Sequence, residues 1–218
     1  MSEFDEASWE ERYGSSERVW SGRPNLQLVT EGSDLAPGTA LDVGSGEGAD
    51  AIWLAARGWR VTAVDFSTTA LKRAAAHAEA EGVEEASRIE WVHADVRVWT
   101  PPVGAFDLVS AQYMHLPPEP RRALFARLAD SVAPGGTLLI VGHDISDLET
   151  GAHRPDMPEM FFTVDEVARS LDGDRWEVAT AEARPRPGHE HEGVHITVHD
   201  ATVVAFRRPD GALKAGAG

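Results

Sequence analysis

Cysteine is absent from the 218 residues, which excludes disulfides, thiolate metal sites and a cysteine nucleophile together. Lysine occurs only at Lys72 and Lys214, the arginines lie scattered among acids, and the net charge is −16. Binding a phosphate backbone requires Lys and Arg to neutralise it, so nucleic acid is not expected as a partner; the acidity reads as a solubility feature. No run approaches the roughly 18 consecutive apolar residues of a membrane helix, so no membrane partner is expected. The acidic, polar stretch from Met1 to Tyr13 lacks the basic-then-apolar order of a signal peptide. A cytoplasmic protein is the expectation, and composition leaves the oligomeric state open. With 42% hydrophobic residues, one domain with a sizeable core is expected.

What is present centres on Leu41–Ala49, where an apolar strand carrying Asp42 runs into a loop with Gly44, Gly46 and Gly48. Glycine is needed where backbone takes positive φ or lies against a ligand with no Cβ between. A helix follows at Asp50–Arg57, then a strand to Val64 with Asp65 at its tip. Such a carboxylate can accept two hydrogen bonds from a ribose diol. Together these residues describe a pocket for an adenosine-bearing cofactor.

Strand-like runs at Ala40–Val43, Arg60–Val64, Ile89–His93, Phe106–Ser110 and Thr137–Val141 alternate with helical patterns at Asp50–Arg57, Thr68–Glu81 and Glu119–Val132. In the last of these, Leu124, Leu128 and Val132 make one stripe. The alternation predicts a parallel sheet with helices on both faces. After a short helix, Val164–Leu171, two extended segments at Trp176–Ala183 and His195–Phe206 flank a polar turn, Pro185–Gly193, and read as an antiparallel pair. The Gly/Ala-rich tail from Pro209 is expected to fray.

A nicotinamide dinucleotide is the rival cofactor, since G-x-G-x-x-G/A can be laid on Gly44, Gly46 and Ala49. Three features oppose it. Asp42 would meet an approaching pyrophosphate with like charge, whereas the α-ammonium of S-adenosylmethionine suits a carboxylate. Asp95, at a third strand tip, offers an acceptor for an adenine amino group, with Phe66 and Val96 flanking the ring. No tyrosine stands four residues before either lysine, so that dehydrogenase pair is missing.

On these residues the chain resembles the class I S-adenosylmethionine-dependent methyltransferases over roughly 20–207. The resemblance rests on Leu41–Gly48, Val64–Ser67, Ala94–Val96 and Phe106–Gln112. It implies a Rossmann-like three-layer α/β sandwich whose seven-stranded, mostly parallel sheet has an antiparallel C-terminal strand. It further implies Asp65 on the ribose, Asp95 on the adenine, and the Gly44–Ser45–Gly46–Gly48 loop beside the methionine tail; Asp42, Phe66, Ser67, Val96 and Gln112 are expected to bind the cofactor with them. Trp20–Asn25 with Trp53-Leu54-Ala55 resembles the tellurite-resistance-like and thiopurine-like branch of small-molecule enzymes; Ser45 departs from it, where cysteine is common. The resulting organisation is a helical cover at 1–36, a cofactor-binding core at 37–144, an acceptor loop and strand pair at 145–208, and a tail at 209–218.

Methyl transfer from a sulfonium needs alignment and desolvation, and a base only if the acceptor must lose a proton. His115, after the fourth strand, is the first candidate for a base or orienting group and His143 the second, against the plainer reading of both as loop histidines. Tyr113, His115, Phe161 and Phe162 are expected at the acceptor, the apolar run Pro155–Phe162 being the expected pocket wall. Trp20 and Arg23 are expected over the cofactor, as a lid or a simple cover. Glu47 reads as a helix-start acid or an indirect partner of the cofactor ammonium, and Glu10, Glu11 and Glu17 as a solvated face. Trp9, Trp53, Trp59, Trp91 and Trp176 are expected in the core. The histidines from His189 to His199 have alternate spacing that would suit a metal, but a polar hairpin is the preferred reading and no metal is expected. Two alternatives stay open: an NAD(P)-dependent oxidoreductase, and a protein that binds S-adenosylmethionine without catalysis.

Overall fold

The structure, a computed structural model, describes residues 6–149, 157–188 and 196–211. Two N-terminal helices, α1 (Glu6–Gly14) and α2 (Leu26–Gly32), precede an alternating series. It runs β1 (Thr39–Val43), α3 (Ala49–Ala56), β2 (Arg60–Asp65), α4 (Thr68–Glu81), the single turn α5 (Val83–Ala86), β3 (Ile89–His93), β4 (Phe106–Gln112), α6 (Pro118–Ser131) and β5 (Val132–His143). The chain closes with α7 (Val164–Ser170), β6 (Trp176–Pro187) and β7 (Thr197–Arg207). One seven-stranded sheet results, ordered β3-β2-β1-β4-β5-β7-β6. The first five strands pair in parallel, and β7 inserts antiparallel between β5 and β6. This is the expected three-layer α/β architecture.

The apolar runs of the inner strands are buried on both faces, as a parallel sheet requires. Leu41, Val43, Val109, Leu138 and Ile140 pack with Leu124, Leu128 and Val167 of α6 and α7. The alternate residues Ala40, Leu108, Leu139 and Val141 pack on the other face with Leu28, Leu54 and Ala78 of α2, α3 and α4. Trp59 and Trp176 are buried as expected, whereas Trp9, Trp53 and Trp91 are half-buried. Trp53 instead carries the Arg57 guanidinium 3.9 Å above its ring, a cation–π contact.

Two boundaries differ from the sequence pattern. The third long helix stops at Ser131, and Val132 is extended (φ −68°, ψ 134°), pairing with Phe106 at the head of β5. Val132 is fully buried either way, so hydrophobic period alone cannot tell helix end from strand start. Second, Pro185–Pro187 belongs to β6, paired with Thr197–His199, rather than to a turn. Gly188 N bonds Ile196 O, so the alternate positions 185 and 187 face away from β7. There, on an edge strand, proline forfeits no ladder bond.

Among the described residues no helix is long and apolar enough to cross a membrane. Leu139, 1% exposed in the inner strand β5, reports on the core. Leu139→Ala is expected to cost about 2–5 kcal/mol, read from the urea midpoint, and a loss well under 1 kcal/mol would show the site is not closed-packed.

Candidate active site

The glycine loop leaves β1 and hangs from its neighbour, with Gly44 N and Ser45 N donating to Val64 O at 2.8 and 3.0 Å. Gly44, Gly46 and Gly48 all have positive φ. At Gly46 a Cβ would stand 3.0 Å from Tyr13 Oη and 3.3 Å from Trp20 Nε1; at Gly48 it would stand 2.7 Å from Trp91 and 2.8 Å from the Ala74 Cβ. Side chains at these two positions would clash as well as strain.

Asp65 ends β2, and its two oxygens accept from Gly46 N (2.9 Å) and Ser67 N (2.8 Å). Burial pushes this carboxyl up, and those amides pull it partly back. Ser67, fully buried, also caps α4 by accepting from Ala70 N at 3.0 Å. Asp42 is buried deeper. Burial, then the charges of Asp50 and Asp65, hold its acid well above the usual range, opposed by an Ala51 amide. Asp50 is raised by burial too, although Asn25 supplies its backbone N at 2.7 Å and its Nδ2 at 2.8 Å.

Asp42 Oδ2, Ser45 Oγ and Gln112 Oε1 are buried and have no hydrogen-bond partner. Asp42 and Gln112 share one face at this end of the sheet, because β1 and β4 run in register with Asp42 opposite Ser110 and Val43 opposite Ala111, and Ser45 follows β1 by two residues. Gln112 Nε2 donates to Ser110 Oγ at 3.0 Å. Buried polar atoms cost free energy unless matched, so this corner has unused capacity for a polar partner. The donor and acceptor types fit the amino-acid end of an adenosyl sulfonium.

Asp95 lies two residues past β3, next in the sheet to β2. The Arg97 guanidinium grips it (Nε 2.9 Å from both oxygens, a terminal nitrogen 2.7 Å from Oδ2) and holds its acid below the ordinary range. Val96 is buried, and Phe66 is half-buried with its carbonyl 3.0 Å from His93 Nε2.

The N-terminal segment covers the loop. Glu47 is neither a bare helix-start acid nor turned to the methionine end; its carboxylate accepts from Val19 N (3.2 Å), Trp20 N (3.0 Å) and Arg73 (3.0 Å). Arg73 also donates to Tyr13 O at 2.7 Å, and Trp20 Nε1 donates to Tyr13 Oη at 2.9 Å. Glu10, expected in solvent, accepts from Thr69 N and Thr68 Oγ1, both at 3.2 Å, and so pins α1 to the start of α4. Trp20 therefore lies over Gly46, while Arg23 is exposed.

As expected from their places after β4 and β5, Tyr113, His115, His143, Phe161 and Phe162 come together, with Met114, Gly142 and Met160, around a cavity of about 10 Å³. That is roughly room for one water. The Tyr113 ring lies 4.7 Å from that of His143, which lies 5.4 Å from that of His115. Among the described residues Tyr113 is the one non-glycine with positive φ (+53°), a strain of order 1–3 kcal/mol that surrounding contacts must hold. Met114 lines the cavity and also meets the glycine loop, its sulfur 2.9 Å from where a Cβ on Gly44 would be. The two halves of the site therefore adjoin at Met114. Tyr13, Met114 and the contacts of Glu47 with the cover are not legible in the sequence; Met114 alone has a local signal, its place between Tyr113 and His115.

His189, His191 and His195 fall outside the described residues. His199 donates its backbone N to Asp147 Oδ1 at 2.8 Å, and among the described residues no group of three metal-binding side chains forms.

Residues 40–136 match the family described as "Methyltransferase domain". Over that segment, a little under half of its length, the chain is similar to methyltransferases. An uncharacterized methyltransferase of Mycobacterium tuberculosis (strain ATCC 25618 / H37Rv) is 40% identical over 114 residues, 51% of this chain and 53% of that protein. The chain thus spans about half the length of such relatives. The 2-heptyl-1-hydroxyquinolin-4(1H)-one methyltransferase of Mycobacteroides abscessus is 28% identical over 165 residues, 68% of this chain and 70% of its own. A solved structure concerned with conversion of a disulfide bond into a thioacetal group during echinomycin biosynthesis superposes with a TM-score of 0.71 at 24% identity, covering 95% of this chain and 94% of the other.

Burial raises Asp42, Asp50 and Asp65 alike, so the folded chain binds their protons more tightly than the unfolded one. Stability from this source is complete below about pH 4, the unfolded value, and is lost as pH rises through the raised folded values. Asp42→Asn is expected to gain on the order of 1 kcal/mol at pH 7 while weakening cofactor binding. Urea melts at pH 5 and 7 check this, and a variant less stable than the parent at pH 7 contradicts it.

Proposed function

We propose that the chain methylates a small-molecule acceptor that enters between Tyr113, His115, His143, Phe161 and Phe162 by displacing side chains that now close their cavity to the size of one water. The observation that carries this reading is the junction at Met114, which sets that cavity against the glycine loop. S-adenosylmethionine, when bound, supplies a methyl carbon on a positively charged sulfur.

Placement in the fold supports the proposed cofactor contacts other than that of Arg23. Asp65 keeps unused lone pairs beside its two amide bonds and would take the ribose hydroxyls. Asp95 would take the adenine amino group, with Phe66 and Val96 on the ring. The Gly44–Gly48 loop, with Ser45 and Ser67 at its flanks, would lie along the nucleoside. Asp42 and Gln112 would receive the ammonium, and Trp20 would shut out water. Arg23, exposed, is the weakest member of the expected set. S-adenosylhomocysteine would be the product retained in the same contacts.

An aromatic wall of Tyr113, His143 and two phenylalanines suits a flat ring. The Mycobacteroides abscessus relative is named for such a ring, a hydroxylated quinolone, and we extend that acceptor class to this chain. A hydroxyl acceptor must lose a proton, for which His115 and His143 are the two imidazoles at the cavity; a thiolate needs neither. The cytoplasmic location is part of the proposal and rests on composition.

Calorimetry should give binding of S-adenosylhomocysteine and none of NAD(H). A radiolabelled methyl-transfer screen over hydroxylated heterocycles, phenols, thiols, selenite, tellurite and heterocyclic amines should then find an acceptor. If the acceptor is a hydroxyl, alanine at His115 or at His143 is expected to lower turnover roughly 100-fold while leaving thiol turnover within a few fold. Unchanged hydroxyl turnover in both variants removes the base assignment. Tight binding with no turnover on any acceptor favours the non-catalytic reading.

A further inference from the structure

We propose that Asp200, with Arg186 and Gln27, is a positioning residue that fixes the Tyr113 ring against the acceptor cavity. The role of that cavity rests on the function proposed above; the hold on Tyr113 does not.

Asp200 lies on β7, fully buried, opposite His143 in the β5 ladder. Its carboxylate accepts from Tyr113 Oη at 3.0 Å, from Arg186 Nε at 2.8 and 2.9 Å, and from Gln27 Nε2 at 3.2 Å. Gln27 is on α2, and its own oxygen accepts from Arg184 at 3.1 Å. Side chains from α2, from β6 and from just after β4 thus converge on the one carboxylate that β7 supplies.

The sheet itself gives no reason for a charge here. Val204 and Val141 pack in the apolar cluster on the same face, and a buried ion pair is commonly no more stabilising than well-packed apolar residues. What the carboxylate adds is direction. Tyr113 follows β4 at φ +53°, a conformation that holds only where surrounding contacts over-determine it. Asp200 anchors the hydroxyl end, the Arg186 guanidinium stands 5.8 Å from the ring centroid, and the His143 ring lies against the Tyr113 ring. Because His115 neighbours His143 in turn, the setting of Tyr113 reaches both imidazoles at the cavity.

The chain has only two tyrosines, so ring-carbon labelling of tyrosine gives two NMR signals, assigned with Tyr113→Phe. In Asp200→Asn and in Arg186→Gln the Tyr113 signal is expected to shift or broaden while that of Tyr13 stays put. On an acceptor found by the screen, kcat should fall about tenfold, S-adenosylhomocysteine affinity should stay within twofold, and Asp200→Asn should cost nothing further in a Tyr113→Phe background. An unmoved Tyr113 signal in either folded variant overturns the proposal, as does an equal loss of kcat on both backgrounds. Should Asp200→Asn fail to fold, Arg186→Gln decides the same question. If no acceptor is turned over, the proposed function fails, while the NMR comparison still decides whether Asp200 holds Tyr113.

Discussion

Carboxylates buried at the ends of two adjacent parallel strands and at the start of the helix between them are the constraint around which this molecule is arranged. Asp42, Asp50 and Asp65 are shielded from water and close enough to repel one another. Isolated, each would be costly to bury. The fold answers with backbone amides: Gly46 and Ser67 for Asp65, Asn25 for Asp50, Ala51 for Asp42. The match is incomplete at Asp42 Oδ2, and the residual mismatch lies where a cationic ligand group would be most useful. Natural proteins break local rules chiefly at functional sites.

The amino-terminal segment is organised by a different carboxylate. Glu47 sits inside the glycine loop, yet it gathers Val19, Trp20 and Arg73 rather than the loop's own groups. The loop and its cover are therefore one hydrogen-bonded unit, and the ring cluster of Trp9, Tyr13 and Trp20, with centroids about 5.8–5.9 Å apart, packs over it. Tyr13 Oη, through its bond with Trp20 Nε1, completes a polar seam between cover and cradle; burial raises the phenol well above its ordinary range.

Much of the cradle was legible in the sequence because its chemistry is local. Glycines two apart, an acid two residues ahead and another at the next strand tip are geometric demands written within a few positions. Sheet class followed from alternation, and the ring cluster of Tyr113, His115 and His143 from residues directly after β4 and at the end of β5. Contacts across long separations were not legible. Glu47 meets Val19 from 28 positions away and Tyr113 meets Asp200 from 87, and no spacing rule announces either. Val132 was misplaced because a buried apolar residue satisfies helix and strand periods alike. Pro185 and Pro187 read as turn formers because their tolerance in a strand depends on which edge lacks a neighbour.

Those two prolines carry a consequence for the molecule's behaviour in a crowded solution. The outermost strand β6 is twelve residues long and borders the sheet, the kind of rim onto which another chain can graft itself. Over its last stretch the outward positions offer no N–H, and a register slip between Val178 and Thr180 bends the other half. An incoming strand would find every second donor gone at one end and a kink at the other. The sheet thus carries its own stop to runaway polymerisation, at no cost to the ladder that joins β6 to β7.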